Sequence, residues 1–306
     1  MADPDHSPDT HGPAGLAAPA APAAGRPEPA PGSVPRPAPG ADDGDHRPGH
    51  RQEGWELRFG WGLDGLQAVG AGAAAVVIVD VLRFTSAVSV AVTQGAAVLP
   101  YVWTMGDAAR AYAQANGAEL AGWREHGAWS LSPTDLGSLP AGSRLVLPSP
   151  NGSALSFRAR DDAPGAMVLA GCLRNGPAVA ALAGAQPGPV AVIAAGERWK
   201  GDLGTLRPAV EDMLGAGAVL RALLDVAGRP GDTASPEARA AVAAFDAARD
   251  DLRGWLRGCA SGQELIAIGF GDDVDTAAAH DVDAVAPVLD GPAFTGVTPG
   301  DAGHLR

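Results

Sequence analysis

Cysteine, long apolar runs and clustered positive charge are all scarce in this chain of 306 residues, and each scarcity removes a class of explanation. The two cysteines, Cys172 and Cys259, stand far apart, so neither a disulfide framework nor a Cys-x-x-Cys metal or redox site is available. A reducing, cytoplasmic setting is expected. No apolar stretch approaches the roughly 20 residues that cross a bilayer, and the N-terminus lacks a basic start followed by an apolar core. A formal net charge of -13 argues against nucleic acid or an anionic membrane as the main partner, because both need clustered Lys and Arg. A few local arginines still suffice to hold a small anionic, phosphorylated substrate. A homo-oligomer is compatible with this composition.

Aromatic residues and hydrophobic periodicity are missing from the first 50 positions, which are dominated by Ala, Pro, Gly, Asp and His. Residues 1–52 are therefore expected to form a disordered tail, whose histidines His6, His11, His46 and His50 have no frame to organise them around a metal. Residues 53–296 read as one α/β domain with room for two subdomains, and 297–306 as a loose end. Apolar β-branched runs alternate with Ala-rich helical segments: a strand at 56–61, another at 75–79, a helix at 84–94, a strand at 97–102, a helix at 107–116 and a short strand at 118–121. The alternation predicts a layered αβα arrangement around a largely parallel or mixed sheet. The stretch 122–142 is irregular and reads as a functional loop carrying Trp123–Trp129. Farther on, 236–256 reads as one long solvated helix, further helices open at Ser261 and Asp272, and a terminal segment ends near Phe294. Asp272, Asp273 and Asp275 are taken as helix N-terminal charges, since EF-hand spacing is missing. Gly70-Ala71-Gly72 precedes its strand, the wrong order for a dinucleotide loop.

Chemistry concentrates where strands end. The run Ala75–Val79 delivers Asp80 to a turn that carries Arg83, Thr85 and Ser86, an acid beside anion donors at a helix start. In isolation such an Asp is as readily a helix cap. A second junction holds Asn151, Gly152 and Ser153; alone it is an ordinary turn. The third holds Cys172, Arg174 and Asn175, with no histidine nearby to activate the thiol. The fourth delivers Glu197, then Arg198, Arg207 and a helix with Glu211 and Asp212 in its first turn. Adjacent helical residues face different ways, so at most one of Glu211 and Asp212 is expected to reach a metal shared with Asp80 and Glu197.

The ordered series Val79-Asp80-Val81-Leu82-Arg83-Phe84-Thr85-Ser86, Asn151-Gly152-Ser153, Cys172-Leu173-Arg174-Asn175, Ala195-Gly196-Glu197, Glu211-Asp212 and Ser261-Gly262-Gln263-Glu264-Leu265 resembles the 2-phosphosulfolactate phosphatase family over roughly residues 56–294. The resemblance implies a magnesium-dependent phosphoric monoester hydrolase that converts 2-phosphosulfolactate to sulfolactate and phosphate, a step in coenzyme M synthesis. Under it, Asp80, Arg83, Arg174 and Glu197 are catalytic; Thr85, Ser86, Asn151, Gly152, Ser153, Cys172, Asn175 and Arg207 bind substrate; and Asp80, Glu197, Glu211 and Asp212 hold Mg2+. Asp80 is preferred as metal ligand over nucleophile, because Leu82 stands where aspartate-nucleophile phosphatases carry a second acid. The chain departs from the family pattern at Ser149-Pro150 and at the loop Trp129–Leu136. A different class of function, a non-catalytic nucleotide- or sugar-phosphate-binding module, would use the same anion sites without turnover. The grouped carboxylates favour catalysis, since a pure anion binder gains nothing from them.

Overall fold

The computed structural model describes residues 49–102, 106–122, 129–199, 204–226 and 231–300. The expected tail lies almost wholly outside the described residues, as do Trp123–His126. The described chain begins in a turn at 49–54, where Gln52 already donates to Phe59 O (2.7 Å) and accepts from Phe59 N (3.0 Å).

In chain order the elements are β1 (Leu57–Trp61), α1 (Gly62–Val69), β2 (Ala75–Val79), α2 (Phe84–Thr93), β3 (Ala97–Val102), α3 (Asp107–Ala115), β4 (Glu119–Leu120), α4 (Pro133–Leu136), β5 (Arg144–Ser149) and α5 (Gly152–Asp162). There follow β6 (Met167–Gly171), α6 (Gly176–Gly184), β7 (Val190–Ala194), β8 (Glu197–Arg198), β9 (Leu206–Arg207), α7 (Val210–Val226), α8 (Pro236–Ala248), α9 (Leu252–Gly258), α10 (Ala260–Ala267), α11 (Gly271–Ala277), β10 (Ala286–Asp290) and β11 (Ala293–Val297). The fold is α/β with a mixed central sheet, as the alternation predicts.

Among the described residues nine strands form that sheet in the order β1-β7-β2-β6-β10-β11-β3-β5-β4. Two parallel blocks, β1-β7-β2-β6 and β3-β5-β4, are joined through the antiparallel hairpin β10–β11. β2 lies inside the first block and every one of its residues is buried, because alternate side chains enter different cores. Val77 and Val79 pack with Leu214, Val219 and Phe245, whereas Val76 and Ile78 pack with Leu66, Leu155 and Ala159. That two-sided burial is why the sequence reads as a continuous apolar run instead of an alternating one.

Three readings are corrected. Helix α1 follows β1 directly, where the sequence reading assigned no element. The supposed long solvated helix is α8 and α9 separated by a 3-10 turn, and α8 buries Ala238, Ala241, Val242 and Phe245 against α7 and β1. Its many alanines are contact positions that let α7 and α8 approach closely. The terminal segment is the hairpin that completes the sheet.

Candidate active site

The turn after β2 is built by its own side chains. Thr85 Oγ1 donates to Asp80 O at 2.8 Å and accepts from Asp80 N at 2.9 Å, while Ser86 Oγ donates to Val81 O at 2.8 Å. These hydroxyls are fully buried and hold backbone groups that no strand partner reaches. The Leu82–Arg83 peptide bond is cis. The result presents the Asp80 carboxylate, which accepts from Phe84 N (3.3 Å) through Oδ1 and from Gly152 N (2.8 Å) through Oδ2. The second contact joins the ends of β2 and β5, strands of the two oppositely running blocks, at the first turn of α5. Gly152 is required there: a Cβ would fall 2.3 Å from Phe84 Cδ1 and 2.7 Å from Asp80 Oδ2.

Asp80 is buried, and burial first, then the neighbouring Glu197 and the weaker Glu211, push its carboxyl up to about 7. Asp212 is raised as well, by burial and by the charges of Asp80 and Glu211. Both Asp212 oxygens are engaged by backbone: Oδ1 accepts from Val81 N (2.7 Å) and Oδ2 from Gly196 N (2.8 Å), so this side chain ties the turns after β2 and β7 to α7. Glu211, buried beside it, stays within electrostatic reach of Asp80 and Cys259. Glu197 stands on the two-stranded ribbon β8–β9 opposite Arg207, and its Oε1 accepts from Asn151 Nδ2 at 2.7 Å. Next to it opens a cleft of about 300 Å³, bounded by Trp61 and Leu63, by Asn151 and Leu155, and by Arg198 and Leu206 of the ribbon.

The other predicted residues divide clearly. Arg83 is 16 % exposed in its side chain and pairs with Asp273, at 2.7 Å. Arg174 forms a bidentate pair with Asp283 (2.8 and 2.9 Å) and donates to Thr276 O (2.7 Å), which locks the segment after α11 to the turn after β6. Asn175 is fully buried and serves the same turn, donating to Ser89 Oγ and Ala170 O and accepting from Cys172 N. Cys172 has no exposed surface, and burial pushes its thiol up to about 11. Ser153 Oγ donates to Leu147 O. Arg207 reaches Ser261 Oγ (3.1 Å) and stacks over Trp199. The structure thus gathers Asp80, Gly152, Asn151, Glu197, Glu211 and Asp212, and turns Arg174 and Asn175 toward scaffold contacts.

Sequence reasoning passed over Asp273 and Asp283, the partners of the two junction arginines. Asp273 had a legible signal: it lies four residues before Ala277, so it shares the helix face that buries Val274 and Ala277, unlike the exposed Asp272. Asp283 lies outside any periodic element and offers none.

By type, a donor set of hard carboxylate oxygens suits a divalent cation such as magnesium. Among the described residues no basic side chain forms an ion pair with Asp80, Glu211 or Asp212, all three of which are buried. The same carboxylates are not gathered about one point: among the described residues no group of three His, Cys, Asp or Glu side chains has metal-holding geometry. Also among the described residues, no helix is long and apolar enough to cross a membrane.

Residues 66–292 match the family model described as 2-phosphosulpholactate phosphatase. A probable 2-phosphosulfolactate phosphatase of Synechococcus sp. (strain CC9605) is 32% identical over 209 residues, covering 65% of this chain and 81% of that protein. One from Gloeobacter violaceus (strain ATCC 29082 / PCC 7421) is 32% identical over 222 residues, covering 69% and 86%, and one from Synechocystis sp. (strain ATCC 27184 / PCC 6803 / Kazusa) is 27% identical over 219. The match runs from α1 through β10 and takes in the junctions after β2, β5, β6 and β7, and with it the chain belongs to the 2-phosphosulfolactate phosphatase family.

Proposed function

We propose that this protein is a magnesium-dependent phosphatase that hydrolyses 2-phosphosulfolactate, or a closely related 2-phospho acid, to sulfolactate and phosphate. The observation that carries the reading is Asp80: a buried carboxylate at the end of a central strand, fixed by two backbone N–H groups, with Glu197 and Glu211 close enough to raise its proton affinity. Such a concentration of negative charge is costly unless a cation or a reacting group uses it.

Asp80 and Glu211 would hold the metal, with Glu197 approaching from the ribbon; Asp212 supports the site through the backbone it binds. When bound, magnesium supplies neutralisation of the phosphoryl charge. The chain itself does the positioning. Arg83 and the first turn of α5, whose leading N–H groups have no intrahelical acceptors, would orient the phosphoryl oxygens. Arg198 and Arg207 lie on the ribbon beside the cleft, where the acidic remainder of the substrate would sit. With Asp80 as a metal holder, water is the attacking group; with Asp80 as a nucleophile, a phospho-aspartate would form first. Two free, buried cysteines accord with a reducing cytoplasm, and the product sulfolactate would feed coenzyme M synthesis.

The test is phosphate release from 2-phosphosulfolactate and a panel of 2-phospho acids, with and without magnesium, for the native chain and Asp80→Asn. Magnesium-dependent release that the substitution lowers by at least about 1,000-fold is expected, a loss of roughly 4 kcal/mol of transition-state stabilisation. Release without magnesium would remove the metal from the reading. Phosphate binding with no release from any substrate would leave the binding module instead.

A further inference from the structure

Arg83 follows the Asp80 turn, but its guanidinium is held by a part of the molecule 190 residues away. Its Nη1 donates to Asp273 Oδ2 at 2.7 Å, and its Cζ lies 4.5 Å from the centre of the Phe270 ring. Asp273 is itself fixed. Its side chain is 1 % exposed, and Oδ1 accepts from the fully buried Ser132 Oγ, which also caps α4, and from Thr134 N at 3.4 Å. The carboxylate is therefore oriented by one oxygen and left with the other for Arg83. Among the described residues no hydrogen bond uses Arg83 Nε or Nη2, and the side chain keeps 16 % of its surface exposed.

We infer that Asp273, oriented by Ser132, is a positioning residue that aims the free edge of the Arg83 guanidinium at an anionic phosphoryl group. The inference rests on the phosphatase reading for the role of Arg83, which would be the group that touches the phosphoryl oxygens. A mere staple between α11 and α2 would not need this chemistry. A buried ion pair is a weak source of stability, and apolar residues of similar size serve as well. A planar fork that must meet a phosphoryl group edge-on does need a fixed rotamer, and one carboxylate, one aromatic face and a locked second layer supply it. The same geometry gives the loop carrying α4 a role: it sets Asp273.

A double-substitution cycle tests this, with kinetics, calorimetric titration of inorganic phosphate and urea unfolding measured for wild type, Arg83→Ala, Asp273→Asn and the pair. Asp273→Asn is expected to lower kcat/KM by about 10- to 100-fold, chiefly through KM, and to weaken phosphate binding in parallel, with a cooperative unfolding transition retained. In the Arg83→Ala background the same change is expected to have no further effect on either quantity. Wild-type kinetics in Asp273→Asn, an equal loss in both backgrounds, or full phosphate binding by Arg83→Ala would each overturn the inference. Should Asp273→Asn not fold, Ser132→Ala enters the cycle in its place, with a smaller loss that must likewise vanish without Arg83. A wild-type protein that releases no phosphate would defeat the phosphatase reading alone, because the titration still reports whether Asp273 acts through Arg83.

Discussion

At the scale of the residue, Asp80 sets an expectation for pH. Its proton is held more tightly in the folded chain, near 7, than at its ordinary value of 3.8. Between those values the unfolded chain has released a proton that the folded chain keeps, so stability falls as pH rises from about 4 to about 7 and then levels. With magnesium withheld, Asp80→Asn should therefore be more stable than wild type at pH 8, and the advantage should shrink as pH is lowered toward 4. Urea unfolding at several pH values measures this, and a pH-independent difference would show that Asp80 ionises freely. Asp212 shifts in the same direction, by burial and then by the charge of Asp80, so the substitution relaxes part of that shift too and adds to the same trend. The two thiols carry a second expectation: buried and pushed upward, neither Cys172 nor Cys259 should react with iodoacetamide before unfolding, as mass spectrometry would show. The sequence made the acids at strand ends legible, because an acid that ends an apolar run stands out by type. It left Arg83 and Arg174 equivalent, and only their partners separate them: Asp283 takes Nε and Nη2 of Arg174 and Thr276 O takes its Nη1, whereas Asp273 takes one donor of Arg83.

Among the elements, close approach of backbone decides two further outcomes. Gly152 opens α5 where Asp80 and Phe84 leave no room for a methyl group, so Gly152→Ala should displace Asp80 and reduce phosphate release at least tenfold while the fold persists; activity and the unfolding midpoint separate the two effects. Gly217 in α7 faces Ala241 O of α8, where a Cβ would fall 2.2 Å away. Gly217→Ala should push these helices apart and destabilise the protein by about 1–3 kcal/mol in urea, without the KM changes of a site variant. The Gly and Ala content of both helices was visible in the sequence. Its meaning was not, because a helix rich in small residues reads as weakly hydrophobic until a neighbour lies against it. For the same reason Asp273 passed for an end charge of α11, although a buried face explains it.

In the whole molecule, the hairpin β10–β11 lies between two parallel blocks and turns the sheet's sense between them. Phe294 is fully buried there and packs edge-on against Phe84, the first residue of the helix that follows the Asp80 turn, with ring centres 6.3 Å apart. Phe294→Ala should cost about 3–5 kcal/mol and lower the urea midpoint of the whole chain in a single transition. Two separate transitions would mean that the blocks fold independently. The sequence by itself determined the class of fold, the positions of the strands in the two parallel blocks and the chemistry at their ends, because burial on both faces and strand-to-helix turns each impose a local pattern of residue types. Only the tertiary structure decided which strand ends meet, that the end of β5 reaches Asp80 across a sheet that changes direction, and which arginine keeps a free edge. Those depend on contacts between residues 72 to 190 positions apart, such as Gly152 with Asp80 and Asp273 with Arg83, and no local pattern encodes such a pairing.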